Sequence, residues 1–329
     1  QILMNKKIQI LALGTVMLVS SCFMTGCGSK KNELMNYRVK ASGTAMQIAN
    51  DTTQDYLSKD ICVIPKKGQT KKQDAVMTAG ASLMVNDTDG KMLYSHNIYK
   101  KLYPASITKI VTAFVALKYG NLNDTVTISH SAANITEYGA KLCGFKEGDR
   151  IALKDLLYSF LIYSGNDAGV AIAEHIAGDT KSFAVMMNRE MKNIGAKHTH
   201  FVNPHGLHNN KHYTTAYDLY LVFHHLAKNR TFMDIVSHSN YTAKYVDATG
   251  KSKSLYFTST DRYLLGTAKA PTGITVIGGK TGTTNNAGSC LILYSKGKKN
   301  KDYISVVLKA AGPYALYGQM NHLLDYGTK

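Results

Sequence analysis

The sequence predicts an α+β fold: a mixed, mostly antiparallel sheet flanked by helices, beside an all-helical lobe at about residues 120–240. Three observations lead to this prediction. Short β-rich runs separated by turn residues lie near both ends of the domain, and apolar residues at helical spacing fill its middle. A last helical pattern over residues 313–326 follows the final β-rich run. Strands from both ends can then join one sheet, which the helices cover.

The first pair of strands is predicted as a β-hairpin. Residues 81–85 and 91–94 are largely apolar runs, and the segment between them ends in Asp89-Gly90, a pair that favours the positive φ angles of a tight turn. Further β-rich runs follow later in the chain, at residues 240–246, 253–258, 272–279, 290–294 and 303–308. We expect the hairpin to join the sheet that these runs form.

The first helix is predicted to begin near Ser106. Pro104 fits just before or within a first helical turn, where its missing N–H would have no intrahelical partner. From Ile107 to Leu117 the apolar residues recur at helical spacing, so most of this helix is expected to be buried while its first turn faces something else. Further helices are predicted at residues 153–162, 167–178, 183–194 and 217–226.

The N-terminal residues have the pattern of an export signal. Lys6 and Lys7 precede an apolar run from Ile8 to Val19, which is too short to span a membrane as a helix and has the length of a secretory h-region. The predicted organisation is a signal segment, a polar tether and a folded domain, at residues 1–27, 28–78 and 79–329, with a short strand at 61–64 in the tether.

Two cysteines follow the apolar run, Cys22 and Cys27, in small-residue settings that resemble the lipobox of bacterial lipoproteins. In a lipobox the cysteine becomes the lipidated N-terminus. Cys22 matches better at the hydrophobic position, but a polar tether follows Cys27 directly, so Cys27 is the preferred site. The alternative is a plain signal peptide with incidental cysteines. The remaining cysteines have no metal-binding spacing and an odd number, so no disulfide framework is predicted for Cys62, Cys143 and Cys290.

The chain of 329 residues is 44% apolar, which is typical of a globular protein, and it carries a formal net charge of +17. Nucleic acid is not the predicted partner, because the sequence has no zinc-finger spacing, no RNA-binding aromatic motif and no concentrated basic helix. The lysines are spread from end to end. This pattern favours attraction to anionic membrane lipid or to an anionic wall polymer, and the alternative is a solubilising surface.

The pair Ser106 and Lys109 lies three residues apart, which places a hydroxyl and an ammonium group on one face of the first helical turn. A serine hydroxyl becomes a good nucleophile when a base removes its proton. A lysine that is partly desolvated at a helix start can have its pKa lowered enough to be that base. By itself the S-x-x-K pattern is also compatible with a capped helix and a solvated lysine.

Two further segments carry polar side chains in constrained settings. Ser164-Gly165-Asn166 joins two predicted helices, so a hydroxyl and a carboxamide can be fixed at a rigid corner; the alternative is an ordinary helix–helix turn. Residues 278–284 follow a β-rich run, and their glycines would let an extended peptide approach the strand edge. There Lys280 adds a positive charge, and Thr281 and Thr283 alternate onto one face. A glycine-rich hairpin with a solvated lysine is the alternative.

Together, S-x-x-K, S-G-N and K-T-G in that order resemble the penicillin-binding protein and serine β-lactamase superfamily. Neighbouring residues narrow the resemblance to the low-molecular-weight D-alanyl-D-alanine carboxypeptidases, from residue 80 to about 312. These are Tyr103-Pro104-Ala105-Ser106, Ser164-Gly165-Asn166-Asp167-Ala168, Phe201-Val202-Asn203-Pro204-His205-Gly206-Leu207, His212-Tyr213-Thr214-Thr215-Ala216-Tyr217-Asp218-Leu219 and Gly279-Lys280-Thr281-Gly282. The resemblance implies a transpeptidase-like catalytic domain that uses neither a cofactor nor a metal.

The resemblance also implies roles for these residues. Ser106 would attack the carbonyl of the penultimate D-Ala of a peptidoglycan stem peptide, and Lys109 would take its proton. Ser164 and Lys280 would relay a proton to the departing D-Ala nitrogen, while Asn166 would hold the substrate amide and orient Lys109. Water would then hydrolyse the acyl-enzyme.

A second group of implied residues would bind the substrate. The backbone N–H groups of Ser106 and Thr283 would form the oxyanion hole. The terminal carboxylate would be held by Thr281, Thr283 and Arg262, and the complete substrate-binding set is Asn166, Lys280, Thr281, Gly282, Thr283 and Arg262. The implied partners are stem peptides that end in D-Ala-D-Ala, β-lactam antibiotics and, through the N-terminal lipid, the outer face of the bacterial cytoplasmic membrane; the alternative location is the cell wall as a secreted protein.

Several alternatives remain for the activity. A D,D-endopeptidase would cleave cross-links with the same residues, and a non-catalytic wall-peptide binder would keep only the fold. A class A β-lactamase needs a glutamate downstream of the second motif, but no glutamate follows Glu190, so efficient lactam hydrolysis is not expected. Many relatives carry a further β-rich domain and a C-terminal anchor helix after the catalytic domain, and the sequence after Lys280 leaves no room for either.

A metal-binding module is a rival of a different class. Five histidines fall close together, and one pair among them has ligand-like spacing, but a loop sequence rather than a helix separates that pair and no paired carboxylates are near. These are His198, His200, His205, His208 and His212. We therefore predict that they pack in a loop or on the surface, and that activity survives a chelator.

Overall fold

The computed structural model of the chain describes residues 61–64 and 74–329. Within them the predicted α+β class is confirmed, with eight α-helices and two antiparallel sheets. The helices are α1 Thr108–Tyr119, α2 His130–Ala133, α3 Leu153–Tyr158, α4 Asn166–Ala177, α5 Thr180–Asn193, α6 Ala216–Ala227, α7 Arg230–Ser237 and α8 Pro313–Leu324. The strands are β1 Ala81–Asn86, β2 Lys91–His96, β3 Thr125–Thr127, β4 Arg150–Ala152, β5 Asn240–Val246, β6 Ser252–Thr258, β7 Thr275–Thr284, β8 Gly288–Lys296 and β9 Asp302–Ala310.

The larger sheet has five antiparallel strands in the order β2-β1-β9-β8-β7. The predicted hairpin β1-β2 joins the C-terminal strands, because β1 pairs with β9 from Ala81 opposite Leu308 to Asn86 opposite Tyr303. At the other side, β7 is an edge strand. The K-T-G segment therefore lies on a strand with one free edge, as an added peptide strand would require.

Apolar residues on both faces of this sheet anchor the surrounding helices. Ile304 and Val306 of β9 contribute to the large apolar core under α6, whereas Tyr303 and Val307 face the second apolar cluster under α8. Strands that are buried on both faces hold their register strongly, because a slip by one residue would exchange the two sets of side chains. The strand that carries Lys280 is thus built onto a rigid platform.

The smaller sheet differs from the prediction of an all-helical lobe. Its four strands follow the order β3-β4-β5-β6, and two of them, β3 and β4, lie within the segment predicted as helical. Each of these two strands is three residues long. Strands of this length give no readable alternation in the sequence and are stabilised by pairing, β3 with β4 and β4 with β5.

The helices that carry the polar motifs begin and end irregularly. The chain enters α1 through a 3₁₀ turn at Ala105–Ile107, close to the start predicted at Ser106. The predicted helix at 153–162 is α3 followed by a π-helical turn at Ser159–Tyr163. That wider turn ends at Ser164, which has a left-handed backbone with φ of 73°.

Residues 61–64 lie where the segment predicted at 28–78 as a tether enters the folded domain. Ile61–Ile64 is not a strand, and its Cys62 and Ile64 side chains are buried in the main core. The Cys62 N–H also donates to the Tyr220 hydroxyl at 2.9 Å, so these residues belong to the folded domain. The lipidation candidates Cys22 and Cys27 lie outside the described residues, as do the signal segment and most of the tether. The described helices include none with the length and apolar character needed to cross a membrane.

The cysteines of the described residues, Cys62, Cys143 and Cys290, are free thiols with buried side chains. Their packing role is that of small apolar residues.

Glu190 on α5 links two helices of the main core. Its carboxylate is almost fully buried and accepts hydrogen bonds from Lys118 and from the Tyr119 hydroxyl, both on α1. Although burial opposes it, this pairing lowers the pKa of Glu190 to about 2. The helix that carries Ser106 and Lys109 is therefore tied at its far end by a buried ionic contact.

We predict that Glu190→Gln lowers the free energy of unfolding at pH 7 by about 1–3 kcal/mol, since it replaces a buried ionic acceptor. A carboxylate whose pKa is depressed by folding stabilises above its ordinary value of 4.5. That contribution is lost as the pH falls toward about 2, so the difference from wild type should shrink in acid. Urea denaturation at about pH 7 and pH 3 measures both values. Exposed Glu137→Gln is the control, and equal stability of Glu190→Gln and wild type at neutral pH would contradict the prediction.

Candidate active site

The Lys109 side chain is completely buried on the first turn of α1. Its Nζ lies 3.1 Å from the Ser106 Oγ, 2.7 Å from the Asn166 Oδ1 and 2.7 Å from the backbone carbonyl oxygen of His205. Two of the three predicted motifs therefore meet at this one nitrogen. The third partner is a backbone carbonyl from the loop that follows α5.

The partners of Lys109 suit an uncharged amine. A neutral amine has two N–H donors and one lone pair. The two carbonyl oxygens, of Asn166 and His205, can accept both hydrogens, which leaves the lone pair for the proton of the Ser106 hydroxyl. Burial is the main cause that lowers the pKa of Lys109 well below its ordinary value of 10.5, and the charge of Lys280 lowers it further. The pair can thus transfer a proton from serine to lysine.

The backbone before Ser106 is held in a strained conformation. Ala105 has φ of 48°, in the left-handed region that residues with a side chain rarely adopt. Its carbonyl accepts a hydrogen bond from the Thr108 hydroxyl at 2.8 Å, and that hydroxyl also lies 2.8 Å from the Nε2 of His212. The buried contact with His212 fixes the turn that presents Ser106.

The loop at residues 203–206 closes over the start of α1. The Thr112 hydroxyl donates to the Pro204 carbonyl at 2.6 Å, next to the His205 carbonyl that accepts from Lys109. Gly206 has φ of 89°, and a Cβ there would lie 1.9 Å from the carbonyl oxygen of Ala105. Only glycine fits this approach, so the loop can reach Lys109 because residue 206 has no side chain.

The Ser164-Gly165-Asn166 turn is the corner that the sequence predicts. Ser164 and Asn166 are both buried, and Asn166 is the first residue of α4. The next residue, Asp167, accepts hydrogen bonds from the N–H groups of Cys143 and Gly144 at 2.8 and 2.9 Å. These bonds hold the segment around residue 143 against the turn, which places Lys141 at the same cleft.

Lys280 on β7 is the second buried lysine of the site. Its Nζ donates to the Thr281 carbonyl oxygen at 2.9 Å. Burial lowers the pKa of Lys280 to about 7, the Lys141 charge adds to this effect, and Asp261 opposes it. The group can therefore exist with and without its proton near neutral pH.

Gly282 sets the distance between β7 and the start of α1. A Cβ at this position would lie 2.9 Å from the backbone nitrogen of Ser106 and 2.9 Å from the carbonyl oxygen of Pro104. The absent side chain lets the strand lie directly against the turn that presents Ser106. The role predicted for the N–H groups of Ser106 and Thr283 requires this closeness, and it stays a prediction.

One cleft of about 310 Å³ collects most of the predicted residues. Its lining includes Ser106, Ser164, Asn166, Arg262, Thr281, Gly282 and Thr283. Lys109 and Lys280 lie buried beside it. The least obvious candidate, Arg262, comes from the loop between β6 and β7, and its guanidinium lies 5.5 Å from the centre of the Tyr317 ring.

Sequence reasoning did not select several residues of this cleft. Lys141 and Thr260 line it, the Thr260 hydroxyl lies 2.5 Å from that of Thr281, and Tyr317 of α8 closes one side. The buried carboxyl of Asp261 adjoins Arg262. Of these, only Asp261 had a signal in the sequence, because it directly precedes Arg262, which was already a candidate.

The clustered histidines are engaged in local contacts. Both ring nitrogens of His212 are used, by the Thr108 hydroxyl and by the N–H of Val202. The His200 ring contacts the Lys211 carbonyl, and the His208 ring contacts Asn210 at the surface. Over residues 61–64 and 74–329, no group of three or more histidine, cysteine, aspartate or glutamate side chains is placed to hold a metal ion.

The fold and the cleft define the class: an α+β domain with a serine at a helix start beside a buried lysine. The family model Peptidase_S11, described as D-alanyl-D-alanine carboxypeptidase, matches residues 67–312, so the chain belongs to that family. The resemblance stated from the motifs is thereby confirmed.

Individual relatives agree with this assignment. The chain is 33% identical to the D-alanyl-D-alanine carboxypeptidase DacF of Bacillus subtilis, over 78% of this chain and 65% of the relative. It is 30% identical to DacA of Haemophilus influenzae, over 70% of this chain and 57% of the relative. The chain thus spans less than two thirds of the length of either. The crystal structure of the Streptomyces K15 DD-transpeptidase has a TM-score of 0.71 at 29% identity, over 78% of this chain and 98% of that chain.

We predict that Gly282→Ala lowers the rate of serine acylation about 100-fold, because the added Cβ would push β7 away from the Ser106 amide. The thermal melting temperature should change little, since β7 is an edge strand. A fluorescent penicillin, followed by gel or by anisotropy, measures the rate. Gly318→Ala on α8 is the matched control, because a Cβ there meets open space. Equal acylation rates for both variants would contradict the spacing role of Gly282.

Proposed function

We propose that the protein is a serine D-alanyl-D-alanine carboxypeptidase that removes the terminal D-Ala from peptidoglycan stem peptides and is acylated by penicillin. The observation that carries the proposal is the buried Lys109, whose Nζ lies 3.1 Å from the Ser106 Oγ and 2.7 Å from each of two carbonyl oxygens, so that a neutral amine can donate to both carbonyls and accept the serine proton. Membership of the D-alanyl-D-alanine carboxypeptidase family supports the substrate class. The same cleft also contains the second serine and the second lysine that such a reaction uses.

In the proposed first step, the Ser106 Oγ attacks the carbonyl carbon of the penultimate D-Ala, and its proton passes to the Lys109 Nζ. The oxyanion that forms is stabilised by the N–H groups of Ser106 and Thr283. Ser164 then transfers a proton to the nitrogen of the departing D-Ala, with Lys280 as its source. The peptide bond breaks, free D-Ala leaves, and an ester with Ser106 remains until water hydrolyses it.

The terminal carboxylate of the substrate is proposed to bind beside β7. Lys280 supplies a positive charge behind the strand, Thr281 and Thr283 supply hydroxyls, and Arg262 supplies a guanidinium from the opposite loop. The free edge of β7 can pair with the extended peptide, which aligns the scissile bond with Ser106. Asn166 can bind the substrate amide through its side-chain N–H group, because its Oδ1 already accepts from Lys109.

Three alternatives use the same cleft. A D,D-endopeptidase would act on cross-links, and it would differ in the amine that leaves, which is a second stem peptide instead of free D-Ala, rather than in the catalytic residues. A serine β-lactamase would need a base for rapid deacylation; no glutamate follows Glu190 in the sequence, so we propose that penicillin stays bound. A non-catalytic binder is disfavoured by the intact Ser106–Lys109 contact.

The site of action is proposed to be outside the cytoplasm. The apolar run from Ile8 to Val19 favours export, and a lipid on Cys27, or on Cys22, would anchor the protein to the outer face of the membrane. Such an anchor needs at least two acyl chains, since one chain binds membranes only weakly. The net charge of +17 would favour the anionic wall and lipid surface.

We predict that Ser106→Ala abolishes both covalent labelling by penicillin and release of D-Ala from a peptide ending in D-Ala-D-Ala, with the fold retained. Mass spectrometry of muropeptides treated with wild-type protein should show loss of one terminal D-Ala, whereas cleaved cross-links would indicate the endopeptidase. Slow release of labelled penicillin, over many minutes, would separate the carboxypeptidase from a β-lactamase. Persistent D-Ala release by Ser106→Ala would refute the assignment of the nucleophile.

We predict a bell-shaped pH dependence of kcat/KM. In acid, protonation of Lys109 removes the base, so the rate falls as the pH is lowered through its depressed pKa. Above about pH 7, Lys280 loses the proton that serves the substrate carboxylate, so kcat/KM falls again. A bound carboxylate raises the pKa of Lys280, and the alkaline limb of kcat should therefore lie at higher pH than that of kcat/KM. Steady-state rates from about pH 5 to 10 test this, and a flat profile would rule out both roles.

A further inference from the structure

Asp261 is a buried acid in the wall of the proposed active site. It lies in the loop between β6 and β7, and only 2% of its surface is exposed. One carboxylate oxygen, Oδ1, accepts from the N–H of Tyr263 at 2.9 Å. The other, Oδ2, is buried without a hydrogen-bond partner among the described residues. A buried carboxylate with a free oxygen is costly for the fold, so a compensating role is expected.

The loop around Asp261 is fixed against both neighbouring elements. The Thr260 hydroxyl lies 2.5 Å from the Thr281 hydroxyl of β7, and the Arg262 N–H donates to the Tyr317 hydroxyl of α8 at 2.9 Å. Thr260 directly precedes Asp261, and Thr281 directly follows Lys280. The contact between the two hydroxyls therefore brings the loop that carries Asp261 beside the segment of β7 that carries Lys280.

The charged and titratable groups around this pair are few. Asp261 is faced by Lys280 from β7 and by Tyr317 from α8, with Tyr263 and Arg262 beside it on its own loop. Lys280 is faced by Lys141 from the other side of the cleft, and Lys109 lies close enough to feel its charge. Among these neighbours of Lys280, Lys141 opposes its positive charge and Asp261 favours it.

We propose that Asp261 is a positioning residue of the active site, whose buried carboxylate keeps Lys280 in its charged form for the carboxylate of the incoming substrate. The inference rests on the proposed function and adds to it a residue that does not touch the substrate. Burial raises the pKa of Asp261 to about 6, so the carboxylate is mostly ionised at neutral pH. Burial and the charge of Lys141 lower the pKa of Lys280, and the negative charge of Asp261 raises it again in part.

The test is Asp261→Asn, which keeps an acceptor for the Tyr263 N–H and removes only the charge. We expect the alkaline limb of the penicillin acylation rate to move to lower pH by about one unit, the size typical of a nearby opposite charge. The melting temperature is measured beside the rate, because removing one member of a buried charge pair can also lower the stability of the fold. Asp218→Asn on α6 is the matched control: Asp218 is equally buried and also has one oxygen without a partner, but its bonds go to His198 and Thr199.

A second measurement reads Lys280 directly. Titration of ¹³C-labelled lysine by NMR, with the signal assigned by Lys280→Gln, should show a lower pKa for Lys280 in Asp261→Asn and an unchanged one in Asp218→Asn. Unchanged titration in Asp261→Asn would overturn the proposal, whatever the activity. Equal loss of acylation at all pH values would also overturn it, because a merely structural role would not depend on pH. If wild-type protein were not acylated at all, the proposed function would fail, while the NMR titration would still decide the role of Asp261.

Discussion

The structure depends most on the burial of one amine, that of Lys109, without a carboxylate in hydrogen-bond contact. A charged ammonium in this position would lose its hydration with no anion bonded to it, whereas the neutral form can satisfy both of its hydrogens and its lone pair. The arrangement needs Ser106, Asn166 and the His205 carbonyl at the same time. These three come from α1, from the start of α4 and from the loop before α6, so three distant parts of the chain must fold together before the site exists.

Two strained backbone positions lie at the cleft. Six non-glycine residues among the described ones have positive φ, and two of them are Ala105, which directly precedes Ser106, and Ser164. Such conformations cost of order 1–3 kcal/mol each and persist where packing leaves no alternative. Around Ala105 the packing is tight, because Gly206 touches its carbonyl and Gly282 touches the next amide. The strained turns are thus held by the elements that they must face.

The sequence allowed prediction of what depends on side-chain chemistry at fixed spacing. Ser106 and Lys109 are separated by about one helical turn. The hairpin at Asp89-Gly90 and the later apolar runs predicted the sheet. The sequence could not predict contacts made by the backbone, such as the carbonyl of His205, because every residue has a carbonyl. It also could not separate buried from exposed charges. Asp261 and Lys141 look like any solvated Asp and Lys until the fold encloses them.

The short strand β4 of the smaller sheet was missed for a related reason. Its three residues carry too little pattern, and their conformation is set by pairing with β3 and β5 rather than by their own propensity. The π-helical turn before Ser164 is likewise set by tertiary packing, because the sequence pattern from 153 to 163 is that of an ordinary helix throughout. The extra residue in a π-helical turn changes the direction in which the following serine points.

The charges of the cleft follow from one another once a substrate carboxylate is considered. In the free protein, burial works against a proton on Lys280 as well as on Lys109, and each charge disfavours the other. An incoming carboxylate favours the protonated form of Lys280. A charged Lys280 then disfavours a proton on Lys109, so it keeps the base neutral. A substrate that carries the right anion would therefore prepare both lysines at once, whereas a peptide with an amidated end would leave the pair competing. In the proposed reaction, recognition of the carboxylate and activation of the serine would thus depend on the same charges.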